Sequence, residues 1–109
     1  MIVKGYKIER NADLSGADLS GAMLTGADLS GANLTGANLT GARMTDANLT
    51  GANLTGADLS GAKVSSAFLT DANLTGANLT RTNFGGSVLL RTNLTDANLT
   101  GTQFFGVIR

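Results

Sequence analysis

The chain has 109 residues, and its eight lysines and arginines balance eight aspartates and glutamates, so its formal net charge at pH 7 is zero. It contains no cysteine and no histidine, which excludes disulfide bonds, thiolate metal sites and catalytic groups that need a histidine base. The balanced charge provides no strong field to attract nucleic acid or an anionic membrane. A hydrophobic content of 42% is too high for a disordered linker.

The first ten residues lie outside the regular pattern that follows. They carry four larger apolar side chains: Ile2, Val3, Tyr6 and Ile8. We expect residues 1–10 to form an N-terminal cap that covers the apolar end of the next unit. No apolar run here reaches the length of a signal peptide or of a membrane-spanning helix, so the expected location is the cytoplasm.

From residue 11 to residue 106 the chain consists of five-residue blocks. Nineteen central positions run from Leu14 to Phe104, and fifteen of them are leucine. Alanine usually stands two positions before the centre, Asp or Asn one before it, and Ser or Thr then Gly after it. A period of five matches neither a helix nor a strand. It predicts a chain that turns a corner every five residues and points its Ala and Leu side chains inward.

The exceptions to leucine give the number of sides in one coil. They stand at positions twenty residues apart: Met44, Val64, Phe84 and Phe104. Twenty residues per coil, at five per side, predict an all-β solenoid with four sides and nearly five coils. Equivalent residues would stack at the usual strand spacing of about 4.8 Å and form one continuous core.

These blocks resemble the pentapeptide repeat family, whose motif is A(D/N)LXX, and the resemblance covers residues 11–106. The regular sequence is similar to that of small members of the cyanobacterial type. The resemblance implies a right-handed quadrilateral parallel β-helix; the residues themselves predict only its four sides. Residues 107–109 are expected to form a C-terminal tail.

Departures from the motif indicate where the chain could bind a partner. Two of the four faces carry only Asp and Asn, and the variation falls on the other two and on the last two coils. The candidate interaction surface comprises Arg43, Lys63, Phe68, Val88, Leu90, Arg91 and Phe105. Arg43 and Lys63 are either solvated side chains or a small basic spot for an acidic partner. The apolar residues are either an exposed interface or covered by a local distortion or a terminal cap.

Two further departures predict structural contacts. Asp71 and Arg91 are corner residues twenty positions apart, so we expect a stacked ion pair of little functional weight. Hydroxyl residues replace the inward alanine late in the chain, at Thr82, Ser87, Thr92 and Thr102. Each of these hydroxyl groups would need a backbone acceptor near the core.

The sequence offers no catalytic, cofactor-binding or metal-binding set. We expect a non-catalytic module for protein interaction or scaffolding, whose partner is unidentified, with no direct contact to nucleic acid or membrane. An alternative is a structural unit that forms a homodimer or associates end to end. The family resemblance adds a lesser alternative, mimicry of DNA and binding to DNA gyrase. That role needs a strongly acidic rod, and the net charge here is zero.

Overall fold

A computed structural model describes all residues from 1 to 109. The chain begins with an antiparallel hairpin formed by β1 (Ile2–Val3) and β2 (Tyr6–Lys7). The two linking residues, Lys4 and Gly5, both have positive φ, as a two-residue type I′ turn requires. Val3 and Tyr6 pack against the core, and Ile8 is buried within it. The hairpin therefore packs apolar side chains against the core.

The rest of the chain winds through four sides, each of which contributes one residue to a ladder of parallel bridges. The first face carries residues 13, 33, 53, 73 and 93, and the second carries 18, 38, 58, 78 and 98. The third face carries residues 23, 43, 63, 83 and 103, and the fourth carries 28, 48, 68, 88 and 108. The molecule measures 32 × 20 × 19 Å, and its nearly equal shorter dimensions reflect this four-sided cross-section.

Backbone hydrogen bonds connect each coil to the next on every side. On the first face Asn53 N donates to Ala32 O at 2.9 Å, and Leu54 N donates to Asn73 O at 2.7 Å. The ladder continues through Ile108, which pairs with Val88, two residues past the repeat boundary drawn from the sequence. No helix in the structure is long and apolar enough to cross a lipid bilayer.

The core is built from stacked alanine and leucine side chains. Thirty buried residues form one cluster along the rod, and Leu54 and Ala52 are typical members with at most 1% of their surface exposed. The bulky Phe84 is fully buried, and its ring stacks on that of Phe104 with centroids 5.6 Å apart. The predicted inward positions of Ala and Leu are confirmed.

The corners between sides are tight turns. In the first coil Ala17 N donates to Leu14 O at 3.0 Å, and Gly16 has a φ of 66°. This hydrogen bond and the positive φ at the third residue identify a type II turn, for which glycine is preferred. Seven corner residues are not glycine yet keep positive φ: Asn11, Asp46, Ser66, Asp71, Arg81, Arg91 and Asp96.

The inward hydroxyl groups find the backbone acceptors that the sequence requires. Thr82 Oγ1 donates to Leu59 O at 2.7 Å, and Thr92 and Thr102 make the equivalent bonds two sides and one full coil later. Ser87 is inserted into a turn of the preceding coil: its hydroxyl donates to Val64 O and accepts from Ala67 N. No buried polar side-chain atom is left without a partner.

Candidate interaction surface

An apolar column runs along the fourth face. Phe68, Val88 and Ile108 occupy the outward bridge position in three successive coils and pair in parallel. Phe68 N donates to Ala47 O at 3.0 Å and Val88 N to Ala67 O at 2.9 Å, so the backbone beneath the column is regular. Phe68 is 48% exposed and Ile108 is 55% exposed, whereas Val88 is half-buried between them. Neither a distortion nor a cap covers this column. The sequence analysis identified Phe68 and Val88 in it, and the structure adds Ile108.

Leu90 and Phe105 occupy turn positions that hold Ser or Thr in all other blocks except the one with Gly85. Leu90 is 37% exposed and follows Val88 on the fourth face. Phe105 is 90% exposed and lies at the corner between the third and fourth faces, where its carbonyl accepts from Gly86 N at 2.9 Å. The structure therefore places Leu90 beside the apolar column and Phe105 on the neighbouring corner.

Arg43 and Lys63 lie on the third face in adjacent coils. They pair with each other in the ladder, and Met44 N donates to Lys63 O at 2.7 Å. Both side chains are exposed, and neither forms an ion pair, since the only three ion pairs in the structure involve other cations. The basic spot thus consists of two unpaired cations, about 4.8 Å apart along the rod at the normal strand spacing.

Arg91 forms the ion pair that its spacing from Asp71 predicts. Its Nε donates to Asp71 Oδ1 at 2.7 Å, and one terminal nitrogen donates to Oδ2 at 3.3 Å. The hydrogen bond from Arg91 lowers the pKa of Asp71 below its usual value, and the same bond raises the pKa of Arg91. Because both groups are exposed, the pair orients Arg91 at the edge of the fourth face and adds little stability.

The outward Asp and Asn side chains have a role that the sequence analysis did not identify. Each accepts a hydrogen bond at Oδ1 from the backbone N–H two residues on, as Asp28 does from Ser30 at 3.1 Å. The Ser30 hydroxyl donates to the same oxygen at 2.7 Å, and this bond lowers the pKa of Asp28. The recurring pair of Asx and Ser or Thr two residues apart was the available signal, because such pairs form Asx turns.

The surface has no concave site. The structure contains no cavity and no cluster of three or more acidic, His or Cys side chains that could hold a metal ion. The candidate residues instead lie on two adjacent walls, Arg43 and Lys63 on the third and Phe68 and Val88 on the fourth. This arrangement suits contact with another macromolecular surface.

Comparison with known sequences agrees with the architecture. The family described as pentapeptide repeats matches residues 10–41, 32–71 and 72–108, with eight copies. No curated protein sequence matches the chain closely enough to count as a relative.

Solved structures of pentapeptide repeat proteins are also similar. One from the thylakoid lumen of Arabidopsis thaliana is 40% identical, with a TM-score of 0.85 over 87% of this chain and 66% of its own. The plasmid-mediated fluoroquinolone resistance protein QnrB1 is 24% identical, with a TM-score of 0.76 over 90% of this chain and 61% of its own. The chain thus spans less than two thirds of the length of either protein.

These matches supply the handedness that the residues alone left open. Pentapeptide repeats and the two similar structures are right-handed quadrilateral β-helices, and the four parallel ladders of this chain follow the same architecture. The family match extends over most of the chain. The chain belongs to the pentapeptide repeat family.

Proposed function

We propose that the chain is a non-catalytic interaction module that holds a protein partner on its fourth face. The observation that carries this proposal is the exposed apolar column of Phe68, Val88 and Ile108. Equivalent positions on the first face carry only Asp or Asn. Because parallel pairing fixes the column in register, a partner would meet a preformed surface and little ordering would oppose binding.

The remaining candidate residues extend this surface. Leu90 widens the apolar column, and Arg91, held by Asp71, provides a polar rim. Phe105 offers a nearly fully exposed ring, the type of side chain that often contributes strongly to binding when a partner buries it. Arg43 and Lys63 add positive charge on the adjacent face. The proposal assigns no cofactor or metal, and no direct contact with nucleic acid or membrane.

The test compares the wild-type chain with Phe68→Asn/Val88→Asn, which restores the repeat motif. Ile2→Thr is the control, because it also replaces an exposed apolar side chain by a polar one, but in the N-terminal hairpin, outside the third and fourth faces. Light scattering across a concentration series first establishes the oligomeric state of all three proteins. Partners captured from a lysate are then compared. A protein that the wild type and Ile2→Thr retain and the double variant loses supports the proposal; equal retention by all three contradicts it.

Self-association is the second candidate, because apolar side chains are also exposed on the last coil. Leu99 is 43% exposed, Phe105 is 90% exposed and Phe104 is only half-buried. Such a coil could associate with a second copy to form a homodimer or an end-to-end assembly. The variant Phe105→Thr restores the motif at this corner. A dimer that Phe105→Thr disrupts and Phe68→Asn/Val88→Asn preserves favours this candidate over the first.

Mimicry of DNA is the least supported function. QnrB1 is a fluoroquinolone resistance protein, and its likeness to this chain, at 24% identity, concerns the fold alone. A DNA mimic needs an acidic surface, whereas this chain has no net charge and carries two cations on its third face. Salt-dependent binding to DNA gyrase would reverse this ranking.

The location proposed for the chain is the cytoplasm. The similar Arabidopsis thaliana protein comes from the thylakoid lumen, so its location gives no support for this choice. Cell fractionation with an antibody against the chain tests the proposal, and recovery in a lumenal or membrane fraction contradicts it.

A further inference from the structure

In the regular outward turns of this protein, a backbone N–H and often a hydroxyl group donate hydrogen bonds to one carboxyl or amide oxygen. At Asn53, Oδ1 accepts from the backbone N–H of Thr55 at 3.1 Å and from its hydroxyl at 2.6 Å. At Asp28 the same two donors come from Ser30 at 3.1 and 2.7 Å. Every outward Asp or Asn of the ladders accepts the N–H bond, including Asn83, which accepts from Gly85 N at 2.8 Å. An oxygen acceptor is thus the regular partner of this turn.

Three consecutive turns on the third face lack this acceptor. Met23, Arg43 and Lys63 occupy the outward position and bridge to one another in register. The backbone N–H groups two residues on form no hydrogen bond: those of Thr25, Thr45 and Ser65. The hydroxyl groups of the last two approach only each other, at 3.2 Å. We call these three turns the vacant ladder; its donors recur at about 4.8 Å, the spacing of neighbouring strands.

Charge distinguishes the vacant ladder from other turns without an acceptor. On the fourth face Phe68 and Val88 also leave the following turns without an Asx oxygen, but no cation lies on that ladder. On the third face Arg43 and Lys63 are exposed and form no ion pair. The one acidic residue at the adjoining corner, Asp46, forms no ion pair with either. Turn N–H groups without an acceptor and two exposed cations without an ion pair therefore occur together on this ladder.

We propose that the vacant ladder binds carboxylate side chains of an acidic segment of a partner protein. Each bound carboxylate would take the place of the missing Asx oxygen, accepting from a turn N–H and hydroxyl, and Arg43 or Lys63 would neutralise its charge. The chain's own aspartates support this choice of ligand: Ser30 lowers the pKa of Asp28, and Ser15 that of Asp13. The same donor pair thus favours the ionised carboxyl group. This inference rests on the proposed function as an interaction module and names the chemistry of the partner.

The test is an NMR titration of the ¹⁵N-labelled chain of 109 residues at low salt. The probes are a glutamate-rich peptide, the same peptide with glutamine in place of glutamate, and inorganic phosphate. We expect the glutamate peptide to move the amide signals of Thr25, Thr45 and Ser65 downfield, because these N–H groups gain an acceptor. The glutamine peptide should move them at least about tenfold less at equal concentration, since charge-assisted hydrogen bonds are the stronger ones.

Two double variants separate the contribution of the vacant turns to binding from the contribution of the two positive charges. Arg43→Asn/Lys63→Asn restores the motif and supplies each turn with an acceptor from its own chain, so Thr45 and Ser65 should no longer respond. Arg43→Gln/Lys63→Gln removes the same two charges but leaves the turns vacant. Here binding should weaken about fivefold to tenfold, as for loss of two exposed ion pairs, with the same amides still responding. Asp46→Gly removes the neighbouring negative charge, restores the motif glycine and should strengthen binding.

Three results would overturn the inference. One is a glutamate peptide that leaves the three amides unmoved, and another is an Asn pair that binds as tightly as the wild type. The third is a response to phosphate as strong as that to the glutamate peptide, which would make phosphate the ligand class. The proposed binding of these probes does not involve Phe68 or Val88. A titration that shows no binding therefore leaves the test of the fourth face intact. Conversely, loss of the fourth-face partner would not alter the peptide titration.

Discussion

The first and fourth faces share one backbone design and differ in what they present outward. Both ladders carry five residues in parallel register, and in the inner coils both bury the residue after the bridge, as with Leu54 and Leu69. On the first face the outward side chains fold back onto their own turns, as Asn53 does onto Thr55. On the fourth face Phe68 and Val88 have no such bond and present apolar surface. The difference teaches that the same coil accepts polar, charged, aromatic and aliphatic side chains at the outward position, so departures from Asp or Asn there can serve binding.

Loss of a core side chain should cause the largest effect and should not depend on the face. Leu54→Ala on the first face and Leu69→Ala on the fourth each empty a fully buried site and should cost about 2–5 kcal/mol of unfolding free energy. Denaturant unfolding followed by circular dichroism gives this value. The outward control Asn53→Ala removes only an exposed cap and should cost about 1 kcal/mol or less. If Leu54→Ala or Leu69→Ala lost no more unfolding free energy than Asn53→Ala, the result would contradict the common design of the two faces.

Corner geometry should have the next largest effect. Gly36 has a φ of 66° and open space where a Cβ would lie, so Gly36→Ala should cost about 1–2 kcal/mol through backbone conformation alone. Gly85→Ala is the matched control, because Gly85 occupies a Ser or Thr position and lacks positive φ. Its added Cβ would lie 3.0 Å from Asn83 Oδ1, which accepts from Gly85 N; residues with a Cβ, such as Thr55 beside Asn53, keep the same bond at equivalent positions. Equal losses for the two variants in thermal unfolding would show that φ is not the cause.

Restoring the motif on the fourth face should change stability little. Phe68→Asn/Val88→Asn gives up partly exposed apolar surface and gains the Asx bond to the following turn. We expect the unfolding free energy to stay within about 1 kcal/mol of the wild type, measured by denaturant titration. A larger loss would mean that the apolar column stabilises the coil, and the contrast between the two faces would then be structural.

The smallest expected effect is in the pH dependence of the Asx caps. The Ser30 hydroxyl lowers the pKa of Asp28, so Ser30→Ala should raise this pKa toward the usual value, as followed by ¹³C NMR of the carboxyl group. A lowered native pKa means that the unfolded chain binds more protons in acid. The stabilisation by this cap is therefore complete above about pH 4 and is lost as the pH falls through the native pKa of Asp28.

The matched control for this titration is Asp28→Asn, which keeps the acceptor oxygen and removes the ionisable group. Its contribution to stability should not change with pH in this range. An Asp28 pKa that is unaltered in Ser30→Ala would show that the hydroxyl bond does not favour the ionised carboxyl group, and would remove one support for carboxylate binding by the vacant ladder.

The sequence predicted the fold well because the same five-residue pattern recurs many times along the chain. Spacing by twenty placed Phe68 above Val88 and Asp71 beside Arg91, and both pairings are confirmed. The vacant ladder was not predicted, because the Asx and Ser or Thr pairs were not recognised as Asx turns, so the absence of an Asx at Met23, Arg43 and Lys63 was not interpreted. Likewise, nothing in the pattern indicated that Ser87 would be inserted between Val64 O and Ala67 N.

By itself the sequence determined the period, the four sides and the inward positions of Ala and Leu, because each follows from chemistry repeated every five or twenty residues. Only the tertiary structure decided which outward groups are satisfied within the coil and which remain available. Arg43 and Lys63 could have been paired, and Phe68 could have been covered; the structure shows them unpaired and exposed. Exposure and hydrogen bonding depend on neighbours from other coils and from the hairpin, and a local motif does not encode these.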